Sequence, residues 1–321
     1  MTVITDLSAM EQVSAIPGGA VFILGHFDGV HRGHMALLGE AKRMAASLPS
    51  PAPVAVWFLS GMDRGGCLTT DEEKLRIFRF IGADYAVTDD FPSVRSLDGE
   101  TFFFTRLLDA HRPSGVVCGF NFTFGRGASS GAEDLCRMAD AAGVRCSVVP
   151  ACTEDGVTVS STEIRRLVLE GDLRRATRLS GRPYFVTGTV MHGQALGRTL
   201  GFPTLNLRLP AGKVTPPRGV YASVTRYDEN GIPRLSRGMS NLGSRPTVNG
   251  DPDDITLETN LFSRPGDLYG SDVTVFLLDY LRPERHFSSV DELRAAIAAD
   301  AEAARSSAAD LSMDDNDVYY L

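Results

Sequence analysis

Lysine is scarce in this sequence: Lys42, Lys74 and Lys213 are the only lysines among 321 residues. None of them completes a Gly-x-x-x-x-Gly-Lys-Ser/Thr loop, so a nucleotide would have to bind without that phosphate cradle. A basic field is also absent, because 32 Lys and Arg are outnumbered by 40 Asp and Glu, for a net charge of −8. Proteins that bind the backbone of nucleic acids usually carry such a field. We therefore expect no nucleic-acid partner.

Long apolar runs and targeting signals are absent as well. No apolar run reaches the roughly 18 residues needed to cross a bilayer, and residues 1–10 lack the basic start and apolar core of a secretory signal. The cysteines form no Cys-x-x-Cys pair and fall in or beside apolar stretches, as packed thiols often do. They are Cys67, Cys118, Cys136, Cys146 and Cys152. These features predict a soluble, cytoplasmic protein with reduced cysteines and no membrane partner, and they imply no protein partner.

The first half of the chain alternates between strand-length apolar runs and helix-length stretches. The runs are 20–24, 54–59, 85–88, 115–118 and 144–149, and the helical stretches are 34–46, 71–81, 100–110 and 132–142. Such alternation predicts βαβ units and an α/β domain with a doubly wound parallel sheet. Ligands of these sheets bind where the strands end at their carboxyl side.

The second half has a different pattern. Two short helices are expected over 160–170 and 172–179, and residues 180–183 break the pattern. Strand-like segments follow at 185–191, 219–227, 237–242, 255–262 and 272–280, and Ser289-x-x-Glu292 opens a last helix. This order predicts a β-barrel or sandwich with a C-terminal helix. We expect domains over 1–181 and 182–309, and an acidic, disordered tail over 310–321.

The densest polar cluster covers residues 25–34, after a strand and at the start of a helix. His31 and His34 share one helical face, at a helix end where free N–H groups and the dipole favour an anion. Gly29 and Gly33 let the backbone turn and let a phosphate approach closely. Two imidazoles there could stabilise a nucleotide's α-phosphate under attack. Exposed or capping histidines, or a metal pair, remain alternatives.

A second polar cluster covers residues 159–165. The hydroxyls of Ser160, Ser161 and Thr162 could bind phosphate oxygens at a helix start. Arg165 lies one turn further on and could bind the same anion through two hydrogen bonds. An ordinary helix N-cap is the alternative.

A glycine-rich run in the second half ends in an extended Pro-Thr-x-Asn. Thr204 and Asn206 project to the same face of a strand, and their oxygens could hold Mg²⁺ together with phosphate oxygens. The glycines before them would leave backbone N–H groups for the phosphates. Ordinary turn chemistry is the alternative.

Glu258 lies on the polar face of a predicted strand. A carboxylate there could take the proton from a substrate hydroxyl during phosphoryl transfer. The alternative is an ordinary solvated face.

Together these motifs resemble the bifunctional riboflavin kinase/FMN adenylyltransferase family, the prokaryotic FAD synthetases. The segments that carry the resemblance are 27–34, 119–125 and 159–165 in the first half, and 201–206, 219–222, 241–247, 258, 267–270 and 282–287 in the second. The match covers about residues 20–305 and implies an FMN adenylyltransferase-like nucleotidyltransferase domain followed by a riboflavin kinase domain. The implied substrates and products are ATP with Mg²⁺, riboflavin, FMN and FAD.

The resemblance also implies roles for individual residues. His31, His34 and Arg165 would act on the ATP phosphates, Glu258 would be the base for the ribityl hydroxyl, and Thr204 and Asn206 would bind Mg²⁺–ATP. The remaining nucleotide-binding candidates are Gly25, Phe27, Asp28, Gly29, Gly33, Asn121, Ser160, Ser161, Thr162, Gly193, Gly197, Arg198 and Gly201, and the flavin-binding candidates are Arg282 and Phe287.

One segment departs from the family. Where the family carries Phe-Asp-Pro-His-Pro after the second strand, this chain has Phe58-Leu59-Ser60-Gly61. Two other functions therefore stay open from the sequence. One is a riboflavin kinase whose first domain only binds nucleotide, and the other is a flavin- or nucleotide-responsive binding protein without turnover.

Overall fold

The computed structural model describes residues 2–61, 66–193, 201–244, 255–263 and 266–307. The chain divides into two compact units, Met1–Ser161 and Thr162–Leu321. The sequence predicts a boundary near Gly181, after the two helices α7 (Ser161–Glu170) and α8 (Leu173–Ser180). The division between the two units lies earlier in the chain, at the start of α7. The acidic tail over 310–321 lies outside the described residues.

The first unit contains a seven-stranded sheet in the order β2-β1-β5-β4-β3-β6-β9. Its strands are β1 (Val3–Asp6), β2 (Glu11–Val13), β3 (Val21–Leu24), β4 (Val54–Ser60), β5 (Tyr85–Asp90), β6 (Gly115–Gly119) and β9 (Arg145–Val149). The five predicted strands are parallel, as expected. The sheet as a whole is mixed, because β1 and β2 extend it in antiparallel orientation. These two strands are short and lack an apolar run, which is why the pattern missed them.

Helices cover this sheet, and short strand pairs lie in its loops. The elements are α1 (Arg32–Ala46), α2 (Asp71–Phe80), α3 (Phe91–Val94), α4 (Gly99–Thr101), a π-helical stretch (Phe102–Leu108), α5 (Asp109–His111), α6 (Ala132–Ala141), and the strands β7 (Thr123–Phe124), β8 (Ser130–Gly131), β10 (Thr153–Glu154) and β11 (Val157–Thr158). One core cluster joins the sheet to the segment 99–111 and α6, through buried side chains that include Phe22, Trp57 and Leu135. The predicted α/β architecture is confirmed, with one long predicted helix containing a π-helical middle.

Two of the cysteines correct the expectation that all are reduced, packed thiols. Cys136 on α6 and Cys146 on β9 form a disulfide, with Cα atoms 5.2 Å apart. The tight connection from α6 to β9 returns the chain alongside itself and brings the two residues together. Cys118 is a buried thiol, and desolvation raises its pKa to about 12.

The second unit is a six-stranded antiparallel sheet in the order β12-β17-β14-β15-β16-β13. Its strands are β12 (Tyr184–Thr189), β13 (Thr204–Arg208), β14 (Gly219–Glu229), β15 (Ile232–Ser244), β16 (Ile255–Leu261) and β17 (Asp272–Pro283). Just past β12, Met191 forms an antiparallel bridge with Asn206 of β13, so the two edges of the sheet meet there. The last helix, α9 (Val290–Ser307), turns its small residues Ala296, Ala301 and Ala304 inward. The predicted barrel with a C-terminal helix is confirmed.

Among the described residues, no helix combines the length and the apolar character needed to cross a membrane.

The capping box of α2 gives a test of the first unit's stability. The Thr70 hydroxyl accepts a hydrogen bond from the Glu73 N–H, and the Glu73 carboxylate accepts one from the Thr70 N–H at 2.8 Å. We expect Thr70→Ala to lower the free energy of unfolding by about 1 kcal/mol, while Thr70→Ser keeps the acceptor and changes it little. The measurement is denaturant unfolding followed by the fluorescence of Trp57, the single tryptophan. Equal stability of both variants would contradict this role of the cap.

Candidate functional sites

The first site is built on a tight turn between β3 and α1. Phe27, Gly29 and Val30 adopt positive φ angles of 54°, 77° and 38°. The turn ends at His31, whose extended backbone caps the helix that begins at Arg32. The two imidazoles therefore lie at a helix N-terminus, where the first N–H groups have no partner within the helix.

His31 and His34 are stacked against each other. Their ring centroids lie 3.7 Å apart with 16° between the planes, and the His31 backbone N–H donates to His34 Nδ1 at 3.2 Å. His34 is thus a capping residue, one of the alternatives left open by the sequence, and capping leaves both rings at the anion-binding end of the helix. Within the described residues no group of three or more His, Cys, Asp and Glu could hold a metal.

Neighbouring residues fix the positions of these rings. A Cβ built on Gly33 would lie 3.1 Å from two atoms of the His31 ring, so the glycine makes room for the imidazole. Phe27 is only 2% exposed, and its ring packs 4.8 Å from His34. A Cβ on Gly25 would come within 3.0 Å of the Phe27 ring. The buried Phe27 ring therefore packs against His34 from the protein interior and helps to hold that ring in place.

Within the first unit, Ser161 of the second polar cluster contacts the turn that carries the first. The Ser161 hydroxyl donates to the Asp28 carbonyl at 2.8 Å, across 133 positions of sequence. The Asp28 carboxylate accepts from the N–H groups of Leu68 and Thr69 at 2.7 and 3.2 Å, and the Gly29 N–H donates to the Thr69 hydroxyl. Asp28 thus holds the turn to the start of α2. Ser160 directly precedes α7, and Thr162 and Arg165 follow in that helix.

An aromatic cavity of about 210 Å³ lies beside this turn. Its lining includes Gly25, His26, Trp57, Leu59, Phe91, Phe102, Phe122 and Phe124. The rings of Phe122 and Phe124 are nearly parallel, with centroids 5.6 Å apart. Asn121 lies exposed in the turn just before Phe122. Sequence reasoning missed the cavity because its walls come from separate strands, although aromatic residues at alternate positions 122 and 124 were a signal.

The second site lies on one face of the second unit's sheet. Asn206 of β13 is paired with Glu258 of β16, which is paired in turn with Asn241 of β15. Thr204 is paired with Asn260 on the same two strands. Paired residues of antiparallel strands share a face, with Cβ atoms about 5 Å apart. The predicted metal-binding and base residues are therefore immediate neighbours.

The burial of this face departs from that of an ordinary solvated one. Asn206 is only 9% exposed, and Thr256 and Asn260 on β16 are buried, whereas Glu258 between them is exposed. The Asn260 side chain donates to the Pro203 carbonyl at 2.8 Å, which holds the extended segment before β13. Because Glu258 is exposed between buried polar neighbours, its carboxylate can reach a bound substrate.

Gly193 packs directly against Asn206. A Cβ at this position would lie 2.8 Å from the Asn206 Cγ, so a larger residue here would require the Asn206 amide to shift. Gly201 lies on the other side of the run, shortly before β13. Gly197 and Arg198 lie outside the described residues.

A larger cavity of about 720 Å³ opens next to Thr204. Its lining includes Gly201, Pro203, Thr204, Asn260, Phe262, Tyr269, Ala301 and Arg305. The His192 and Tyr269 rings stack with centroids 3.8 Å apart, and the Arg305 guanidinium lies 3.8 Å from the Phe262 ring centroid. His192, Phe262 and Arg305 were not among the sequence candidates, because their ring contacts join separate segments.

Arg282 fastens α9 to the sheet. Its Nε and Nη2 donate to the two carboxylate oxygens of Asp300 at 2.7 and 2.6 Å, a bidentate pair. The guanidinium carbon also lies 5.8 Å from the Phe287 ring centroid. The flavin-binding role of Arg282 and Phe287 stays a prediction.

Comparison with known proteins covers both units. A family model described as FAD synthetase matches residues 13–163, and one described as riboflavin kinase matches residues 180–308. The bifunctional riboflavin kinase/FMN adenylyltransferase of Escherichia coli K12 is 35% identical over 89% of this chain and 92% of its own length. The protein of that name from Bacillus subtilis is 31% identical over 85% of this chain and 88% of its own.

A solved structure resembles the fold over nearly the whole chain. It is described as a macrolide-efflux protein from Streptococcus pneumoniae, with a TM-score of 0.79, 29% identity and coverage of 96% of this chain and 98% of that one. The matches to these two curated relatives cover 89% and 85% of this chain, and therefore parts of both units. The chain therefore belongs to the bifunctional riboflavin kinase/FMN adenylyltransferase family.

Proposed function

We propose that the two activities of this family are divided here between the two sites described above. The second unit phosphorylates riboflavin with ATP to give FMN and ADP. The first unit transfers the adenylyl group of a second ATP to FMN, giving FAD and pyrophosphate. The observation that carries the proposal is the pairing of Asn206 with Glu258, which sets phosphate-binding and proton-accepting groups side by side.

In the kinase reaction, Glu258 acts as the general base. Its carboxylate accepts the proton of the riboflavin 5′-hydroxyl while that oxygen attacks the γ-phosphorus of ATP and the bond to ADP breaks. The exposure of Glu258 between buried polar neighbours supports this role, because the carboxylate stays accessible to substrate.

Mg²⁺ fits the donor set around Thr204 and Asn206. A hydroxyl and an amide oxygen are hard ligands, and Mg²⁺ usually takes few protein ligands together with substrate phosphates and water. Asn206 is held in place by the close packing of Gly193, which supports a preorganised ligand. When bound, the metal would neutralise charge on the ATP phosphates.

In the adenylyl transfer, His31 and His34 stabilise the charge that develops on the α-phosphate. A phosphate oxygen of FMN attacks the α-phosphorus, and pyrophosphate leaves. The stacked imidazoles lie at a helix N-terminus, where the helix dipole also favours negative charge. The hydroxyl of Ser160 would add a donor, and the roles of Thr162 and Arg165 stay predictions.

The aromatic cavity of the first unit would take the flavin ring of FMN. Flat aromatic walls favour a planar ring system, and a volume of about 210 Å³ encloses only part of such a ligand. The position of His26 and Gly25 in the lining would direct the rest of FMN toward the turn that carries the two histidines.

Replacing Glu258 tests whether the two activities belong to separate sites. We expect Glu258→Gln to lower riboflavin phosphorylation at least about 100-fold, because the amide cannot accept the proton. FAD formation from supplied FMN and ATP should stay unchanged. The measurement is chromatographic separation of the flavins, with Glu229→Gln at the distant hairpin end of β14 as control. Normal FMN formation by Glu258→Gln would remove Glu258 from this role.

Adding one methyl group at Gly193 tests the positioning of Asn206. We expect Gly193→Ala to displace the Asn206 amide and to lower riboflavin phosphorylation about 10- to 100-fold. The control is Gly188→Ala in β12, where the added Cβ would make only an ordinary contact, 3.7 Å from Leu207. Unchanged kinase activity, with an unchanged Mg²⁺ requirement, would contradict the role of Asn206.

Replacing His34 tests the first site. Asparagine can still accept a capping hydrogen bond, so His34→Asn removes the imidazole while keeping the cap. We expect FAD formation from FMN to fall about 100-fold, with riboflavin phosphorylation unchanged as the internal control for folding. Full FAD formation by this variant would assign the phosphate chemistry to other groups.

A further inference from the structure

The aromatic cavity has one wall whose orientation is fixed by a buried hydrogen bond. Trp57, in the middle of β4, is 3% exposed and lines the cavity. Its indole packs edge-on against Phe102, with centroids 5.0 Å apart. The indole Nε1–H donates to the Asp89 carboxylate on the neighbouring strand β5 at 3.1 Å.

Asp89 is completely buried, with 0% exposure. Its other oxygen accepts a hydrogen bond from the Thr2 hydroxyl, and Arg106 Nη1 lies 4.0 Å from that oxygen. A buried carboxylate is costly unless its oxygens are bonded. Here its hydrogen bond with Trp57 joins the cavity wall to the adjacent strand, in the interior of the sheet.

Two residues of β4, Trp57 and Leu59, line the cavity from the same face of that strand. An indole whose plane is fixed can present a constant apolar surface to a flat ligand, whereas a side chain free to change rotamer cannot.

We propose that Asp89 is a positioning residue that orients Trp57, and that Trp57 is the wall that selects the planar flavin ring of FMN. This inference rests on the proposed adenylyl transfer in the first unit. Asp89 does not line the cavity among the described residues, so it acts on FMN through the indole.

The test replaces Asp89 by its neutral isostere. Asp89→Asn weakens the hydrogen bond to the indole, because bonds to an ionised acceptor are roughly twice as strong. We expect the KM for FMN in FAD formation to rise about five-fold and kcat to stay within two-fold. Asp90→Asn, on the adjacent and oppositely directed position of β5, is the matched control and should leave the KM unchanged.

Trp57→Phe makes the test specific for the proposed contact. It removes the indole donor and keeps an aromatic wall, so Asp89→Asn should raise the KM for FMN no further in the Trp57→Phe background. An equal rise in both backgrounds would overturn the proposal, because Asp89 would then act independently of Trp57.

Fluorescence gives an independent measurement, since Trp57 is the single tryptophan of the chain. We expect FMN to quench this emission, with a midpoint that shifts about five-fold to higher FMN in Asp89→Asn and stays in place in Asp90→Asn. A midpoint unchanged in Asp89→Asn would overturn the proposal.

Two controls separate this inference from its foundation. If the unaltered protein makes no FAD, the proposed adenylyl transfer itself fails. If it makes FAD and Asp89→Asn leaves the KM for FMN unchanged, only the positioning role fails. A loss of riboflavin phosphorylation in Asp89→Asn would also overturn it, because the residue would then be needed for folding in general.

Discussion

Both sites depend on one steric constraint: a glycine whose missing Cβ leaves space for a polar side chain. Gly33 makes room for the His31 ring, and Gly193 makes room for the Asn206 amide. A methyl group at Gly193 would require the Asn206 amide to shift, and one at Gly33 would lie 3.1 Å from the His31 ring and make this contact tight. Because the chain binds phosphates without a lysine-bearing glycine loop, backbone shape and helix ends must supply the site, and the backbone must come close to the side chains that complete it.

A buried carboxylate beside each site also fixes the positions of neighbouring elements. The Arg282–Asp300 pair joins the last helix to the sheet beside the second site. Asp89 joins β4 and β5 through the Trp57 indole beside the first. A buried carboxylate that is paired or hydrogen-bonded contributes little net stability compared with apolar packing, so the clearer contribution of Asp300 and Asp89 is a fixed geometry. Electrostatics in this protein is local, in keeping with a net charge that offers no basic field.

Local signals made much of this architecture readable from the sequence. The capping box at Thr70 starts α2 where the pattern expected, and the alternating apolar runs located the parallel strands. The two strands β1 and β2 were not predicted because they are short and contain no apolar run. Their hydrogen bonds to each other and to β5 hold them in the sheet. Long-range contacts escaped for a different reason: the bonds between Cys136 and Cys146 and between Trp57 and Asp89 join residues whose spacing has no regular pattern. The candidate sites were found as motifs, while the aromatic cavity required the fold.

The central claim is that one chain carries two sites that act in succession on the flavin. The most direct measurement follows riboflavin, FMN and FAD over time by chromatography, after the purified protein is mixed with riboflavin, ATP and Mg²⁺. The account predicts that FMN appears first and that FAD then forms at its expense. Accumulation of FMN with no FAD would contradict the second activity, and riboflavin that stays unchanged would contradict both.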